Sequence, residues 1–178
     1  GRKGMIDEIR SEMKQQNAAV TFGIGDDAAV ISTEPGKKSL ISSETFIEGI
    51  DFDITYTPLK HLGFKVISAA VSDLYAMNAY PVATVINLAI PNKYSVQMVK
   101  DFYSGVDAAC GDYGMQLVGG DLNGNYSGLT ISVTVYGEAE EDHLIYRSGA
   151  EVDDAICVSG DLGGAIAGLR ILMREKMA

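Results

Sequence analysis

Apolar residues recur along this chain in helical and strand-like rhythms that alternate in order. Residues 5–16 place Met5, Ile6, Ile9 and Met13 at roughly helical spacing among charged neighbours, which predicts a short, mostly exposed helix. Residues 18–22, 28–32 and 39–45 are short apolar or mixed runs separated by turn residues, and predict three strands in a meander. Thr57-Pro58 opens a longer helix, since proline suits the first helical turn, and the helix runs to about Asn78. Its apolar stripe holds Leu62, Val66, Ala69, Ala70 and Met77, and Asp73 falls in the same stripe. Tyr80-Pro81 breaks it, and residues 82–90 form a strongly apolar strand. Residues 95–113 predict a second long helix with Val99, Phe102, Tyr103 and Val106 inward and Gly114 as the stop. A short strand over 115–118 runs into Gly119-Gly120-Asp121, and residues 129–138 alternate as a half-buried strand. After a turn at 148–150, residues 155–158 predict one more buried strand, and a helix opening within 160–164 runs on to Met177.

Helices crossing between strands, with meander pieces, predict an α+β fold: a mixed or antiparallel sheet covered by helices on one face. Residues 1–147 read as one N-terminal domain and 148–178 as the start of a second, truncated one. A chain of 178 residues ending inside a helix is expected to be a fragment of a longer protein.

Charge narrows the chemistry. A formal net charge of −10 disfavours nucleic acid, which is bound through clustered Lys and Arg. It leaves room for small phosphate ligands when divalent cations lie between carboxylate and phosphate. No apolar run reaches the ~18 residues needed to span a bilayer, so no membrane partner is expected. Cys110 and Cys157 lie far apart without CxxC spacing, which suits a reducing cytoplasm and argues against zinc. His61 and His143 are the two histidines, too few for a His-based metal cage, and both read as structural.

The chemistry-bearing residues are carboxylates. Residues 23–30 read Gly-Ile-Gly-Asp-Asp-Ala-Ala-Val: an ordinary Asp-rich turn, or a turn presenting Asp26 and Asp27 to a ligand. Asp73 on an apolar stripe costs free energy unless it pairs with a lysine, caps a helix or faces a metal. Glu44 lies at the polar end of the strand, in Ser42-Ser43-Glu44-Thr45, and Asp121 follows the two glycines. If these groups converge, with the Ser42 and Ser43 hydroxyls, they form an all-oxygen pocket that selects Mg²⁺ or Ca²⁺. Mg²⁺ bridging carboxylates to a polyphosphate serves phosphoryl transfer, and Gly119-Gly120 lets backbone N–H groups approach phosphate. There is no GxxxxGK[ST], no GxGxxG opening a helix, no kinase catalytic loop and no EF-hand loop.

The five motifs together resemble the thiamine-monophosphate kinases: residues 23–30; Ser42-Ser43-Glu44-Thr45 with Glu48-Gly49; residues 65–81 around Asp73; residues 115–121; and residues 147–150 followed by 156–163. The wider group shares the fold of aminoimidazole ribonucleotide synthetase. The resemblance implies transfer of the γ-phosphoryl of ATP to thiamine monophosphate, giving thiamine diphosphate, in a cytoplasmic homodimer with a barrel-like core. It implies Mg²⁺ on Asp27, Ser42, Ser43, Glu44, Asp73 and Asp121, and ATP against Tyr103, Gly120, Asp121 and Arg147. It places Asp51 near the acceptor. Three positions depart from the family pattern. Glu44 replaces an Asp, Asp51 a His found in many members, and Leu122-Asn123 a frequent Thr-Thr. The resemblance places further metal ligands and the thiamine pocket in a C-terminal half, so the 178 residues alone are expected not to turn over. The alternatives are a same-fold enzyme with another acceptor, of purine or hydrogenase-maturation type, and a non-catalytic dimerisation or nucleotide-binding module.

Overall fold

A computed structural model describes residues 2–13, 17–22, 24, 30–31, 34–146, 148 and 150–176. The elements in chain order are α1 (Arg2–Glu12), β1 (Val20–Phe22), β2 (Val30–Ile31), β3 (Lys37–Ile47), α2 (Leu59–Ala76), β4 (Tyr80–Pro91), α3 (Val96–Tyr113), β5 (Gln116–Asn125), β6 (Thr130–Glu140) and α4 (Gly164–Lys176).

Four strands form one mixed sheet in the order β3-β6-β4-β5. β6 runs antiparallel to β3 and β4, while β4 and β5 are parallel. A parallel pair needs a crossover, and α3 supplies it. The period-2 alternation sends Ile131, Val133 and Val135 of β6 to one face, where they join α2 and α3 in the core. Ser132, Thr134 and Tyr136 go to the other face. Near one end, that second face is covered by the β1–β2 pair through a smaller cluster of Val20, Val82, Ala83 and Val118. The expected α+β sheet with helices on one face is therefore what forms.

The long helices follow their sequence signals. Ser95 caps α3 by accepting the Met98 N–H at 3.2 Å, and Gly114 ends it in the left-handed conformation, φ 64°. α2 and α3 meet through two glycines. A Cβ on Gly63 would lie 2.0 Å from the Phe102 carbonyl oxygen, and one on Gly105 1.8 Å from that of Lys60. Neither contact leaves room for a methyl group.

Two elements differ from expectation. β5 does not stop before the glycines but continues through Gly119-Gly120-Asp121 to Asn125. β4 holds this stretch in its ladder up to Pro91. Residues 155–158 form no strand. Every residue from 150 to 175 is exposed, with Ile156 at 98%, and this segment finds no strand edge to pair with among the described residues. α4 forms as expected and shows Ile166, Ile171, Leu172 and Met173 to solvent. No helix among the described residues is long and apolar enough to cross a membrane.

The two thiols make a direct check on the core. Cys110 is buried, and burial with the nearby Asp107 charge pushes its thiol up to about 12, against a backbone hydrogen bond from Leu117 that pulls it down. Cys157 is exposed. A thiol reagent is expected to label Cys157 at once in the native protein and Cys110 only on unfolding; rapid labelling of both would contradict this packing.

Candidate functional site

β3 carries the first group of expected ligands, and alternation divides them. Leu40, Ser42, Glu44 and Phe46 turn towards the helices; Ile41, Ser43, Thr45 and Ile47 turn away. On the helix side the Ser42 hydroxyl donates to Asp73 Oδ2 at 2.5 Å. The half-buried Asp73 thus has a hydroxyl partner rather than the lysine or helix cap considered from the sequence. Glu44 stands two residues further along the same face. On the other side the Ser43 hydroxyl lies 3.0 Å from that of Thr134 and donates to the Val133 carbonyl at 3.3 Å.

Asp121 belongs to the opposite edge. Its neighbour Leu122 enters the core, so Asp121 and Asn123 point away from the helices. The Asn123 side-chain amide donates to Asp121 Oδ2 at 2.5 Å. Three strand spacings separate β5 from β3, about 14 Å at the usual ~4.8 Å between strands. A Mg–O bond reaches only ~2.1 Å. Within one chain, the Ser42–Asp73 corner and Asp121 therefore do not share a cation. Among the described residues, no three His, Cys, Asp or Glu side chains gather as a metal cluster. Asp26, Asp27 and Arg147 lie outside the described residues.

Gly120 has a structural role of its own. A Cβ there would sit 1.9 Å from the Ile86 carbonyl oxygen, so β4 and β5 need a glycine at this position. Tyr103 was expected at the nucleotide, but it is 4% exposed and packs edge-to-face on Phe102 at 5.4 Å. Its spacing on the apolar face of α3 makes it core. Burial pushes its phenol well above the usual range. Asp51 is exposed, and its carboxylate accepts the Ile47 N–H at 2.8 Å while its carbonyl accepts Lys65 Nζ at 2.8 Å. Both bonds serve the turn after β3.

Sequence reading gave Glu48 no role, yet the structure makes it a hub. Its carboxylate accepts Lys93 Nζ at 2.5 Å, the Tyr94 hydroxyl at 2.9 Å and the Leu129 N–H at 2.6 Å. It ties the end of β3 to the β4–α3 connection and the β5–β6 turn. Burial opposes its charge, but the hydrogen bonds and the Lys93 ammonium win, holding Glu48 below the usual carboxylate range. Burial and Glu48 in turn push the Tyr94 phenol up. The partners lie 45 to 81 residues away, so no local pattern announces them.

Residues 25–139 match the family model described as AIR synthase related protein, N-terminal domain. A thiamine-monophosphate kinase of Bacillus subtilis (strain 168) is 33% identical over 159 residues, 89% of this chain and 49% of that protein. The crystal structure of thiamine-monophosphate kinase from Stenotrophomonas maltophilia K279a superposes with a TM-score of 0.81 at 28% identity, over 97% of this chain and 52% of that one. The structure of AaThiL complexed with AMPPCP and TMP superposes with a TM-score of 0.74 at 34% identity, over 98% and 53%. The chain spans about half the length of the curated relatives it matches.

Proposed function

We propose a function from one premise: the chain belongs to the AIR synthase related protein family, whose N-terminal domain it carries. The full-length protein is a phosphotransferase that moves the γ-phosphoryl of ATP to thiamine monophosphate and releases thiamine diphosphate. The single observation carrying this reading is the likeness, over nearly the whole chain, to a kinase solved with an ATP analogue and TMP.

In this reading Mg²⁺ is held by Asp27, Ser42, Ser43, Glu44, Asp73 and Asp121, whose hard oxygen donors suit it. Bound Mg²⁺ would bridge carboxylate oxygens to a polyphosphate. The described members of this set do not all meet within one chain. Gly120, Asp121 and Arg147 face the nucleotide, and Asp51 the acceptor. Tyr103 packs in the core instead of against the nucleotide. The protein works as a homodimer with a barrel-like core in the cytoplasm. Its net charge of −10 supports small-molecule rather than nucleic-acid ligands.

The test is thiamine diphosphate formation from ATP and thiamine monophosphate by the full-length protein. No turnover with this acceptor, alongside turnover with another, would overturn the reading. Asp73→Asn is expected to lower kcat at least ~100-fold, the scale for losing one electrostatic group at a transferring phosphoryl. Unchanged kcat in that variant would remove Asp73 from the metal–phosphate site.

A further inference from the structure

A hydrogen-bond chain through Tyr136 lies beneath the β1–β2 pair, and we infer that it positions this pair and, through it, Asp27. Tyr136 is a positioning residue: it acts through β1 and β2, not by touching metal or nucleotide. This rests on the metal–phosphate reading above, and adds a residue which that reading does not use.

The chain of hydrogen bonds has a direction. The Tyr136 hydroxyl donates to Glu138 Oε1 at 2.9 Å and lies 2.9 Å from Ser39 Oγ. A hydroxyl carries one proton, so Ser39 donates to Tyr136 and Tyr136 to Glu138. Two partners, one on β3 and one on β6, fix the ring. Glu138 is 6% exposed, and a buried carboxylate is costly unless it is hydrogen-bonded. The phenol meets that need, and the Lys37 ammonium interacts with the same carboxylate. The ring in turn packs, with Ile31 of β2 and Val85, against the cluster of Val20, Val82, Ala83 and Val118. It therefore supports both strands of the pair. At three and two residues, β1 and β2 are too short to hold their place alone. Their position comes from what they pack on. Residues 23–29, Asp27 among them, join β1 to β2 along the chain. The pair also covers the face that carries Asp121, which follows Val118 by three residues, about 10 Å of strand at ~3.3 Å each.

Two measurements on the full-length protein decide this, with Tyr136→Phe, which keeps the ring and removes the hydrogen-bond chain. The first is amide hydrogen exchange. The amides of Val20–Phe22 and Val30–Ile31 are expected to exchange about 3–10-fold faster, the scale of one net hydrogen bond, while those of α2 and α3 hold. Unchanged exchange, or faster exchange throughout the domain, would overturn the inference. The second is Mn²⁺ binding. The dissociation constant is expected to rise about 3–10-fold at unchanged stoichiometry. A merely structural role would instead lower the fraction of competent molecules and leave the constant alone. Faster exchange with an unchanged constant would make Tyr136 a packing residue and overturn the inference. In an Asp27→Asn background, Tyr136→Phe is expected to shift the Mn²⁺ constant by less than ~2-fold, because coupled residues do not add; an additive loss would overturn the link to Asp27. Tyr113→Phe, which removes a hydroxyl bonded to Ser68 at 2.9 Å on the helix side, is the control and should change neither readout. Should Tyr136→Phe fail to fold, Ser39→Ala breaks the same chain from its other end. If wild type binds no Mn²⁺, the metal–phosphate reading falls, while hydrogen exchange still decides whether Tyr136 seats the pair.

Discussion

Gly105→Ala is expected to destabilise the protein by about 3 kcal/mol or more, at the upper end of overpacking costs. Alanine gains up to ~1 kcal/mol of helix propensity over glycine, and on an open helix that gain would dominate. Here the new Cβ lies 1.8 Å from the Lys60 carbonyl oxygen, 2.8 Å from its carbon and 3.0 Å from the Phe64 nitrogen. All three are backbone atoms, so no side chain can swing aside and α2 and α3 must separate. Gly63→Ala meets the Phe102 carbonyl at 2.0 Å and is expected to act alike. Thermal unfolding should show a fall of about 6–12 °C for either, at ~2–4 °C per kcal/mol for a chain of this size. Gly168→Ala in α4 is the control, because its Cβ meets nothing within 4 Å; its melting temperature should hold or rise. If Gly105→Ala melted like this control, the close helix contact would be refuted.

Glu48→Gln is expected to cost about 1–3 kcal/mol at neutral pH, since it removes the charge from a half-buried carboxylate that accepts three hydrogen bonds. Its folded pKa is depressed. Such a group contributes stability above its unfolded pKa of ~4.3 and loses it as pH falls through the folded value. The gap between wild type and Glu48→Gln should therefore be full above about pH 5 and narrow below about pH 4. Denaturant titrations at several pH values measure it. A gap that stays constant down to pH 3 would mean that the Glu48 charge is not what holds the three segments together.

Much of the fold could be read ahead because its signals are local. The start of α3 near residue 95, the Gly114 stop and the β6 alternation each act within a few residues and each formed where expected. What escaped depends on partners distant in sequence. Residues 155–158 have strand composition, but no described edge pairs with them, so they form no strand and stay exposed. Gly119-Gly120 reads as the end of a strand, yet β5 continues through it, and the close approach of Ile86 makes glycine a requirement at position 120. Tyr103 carried two readings, core or nucleotide contact, and its place on the buried face of α3 decides for core. The carboxylates were legible as residues but not as neighbours: Ser42 and Asp73 meet, while strand order sends Asp121 to the far edge. Glu48 shows the limit most clearly, since every one of its side-chain partners comes from another part of the chain.

The pairing of β3 with β6 also bears on how the protein is made. Ile47 pairs with Thr130 and Lys37 with Glu140. At roughly 5–20 residues per second of synthesis, β3 leaves the ribosome on the order of ten seconds before its partner exists. During that interval a strand carrying Ile41, Phe46 and Ile47 has nothing to pair with. Nascent chains of this protein should thus be clients of holding chaperones until β6 emerges, and slow codons between the two strands should lower its soluble yield.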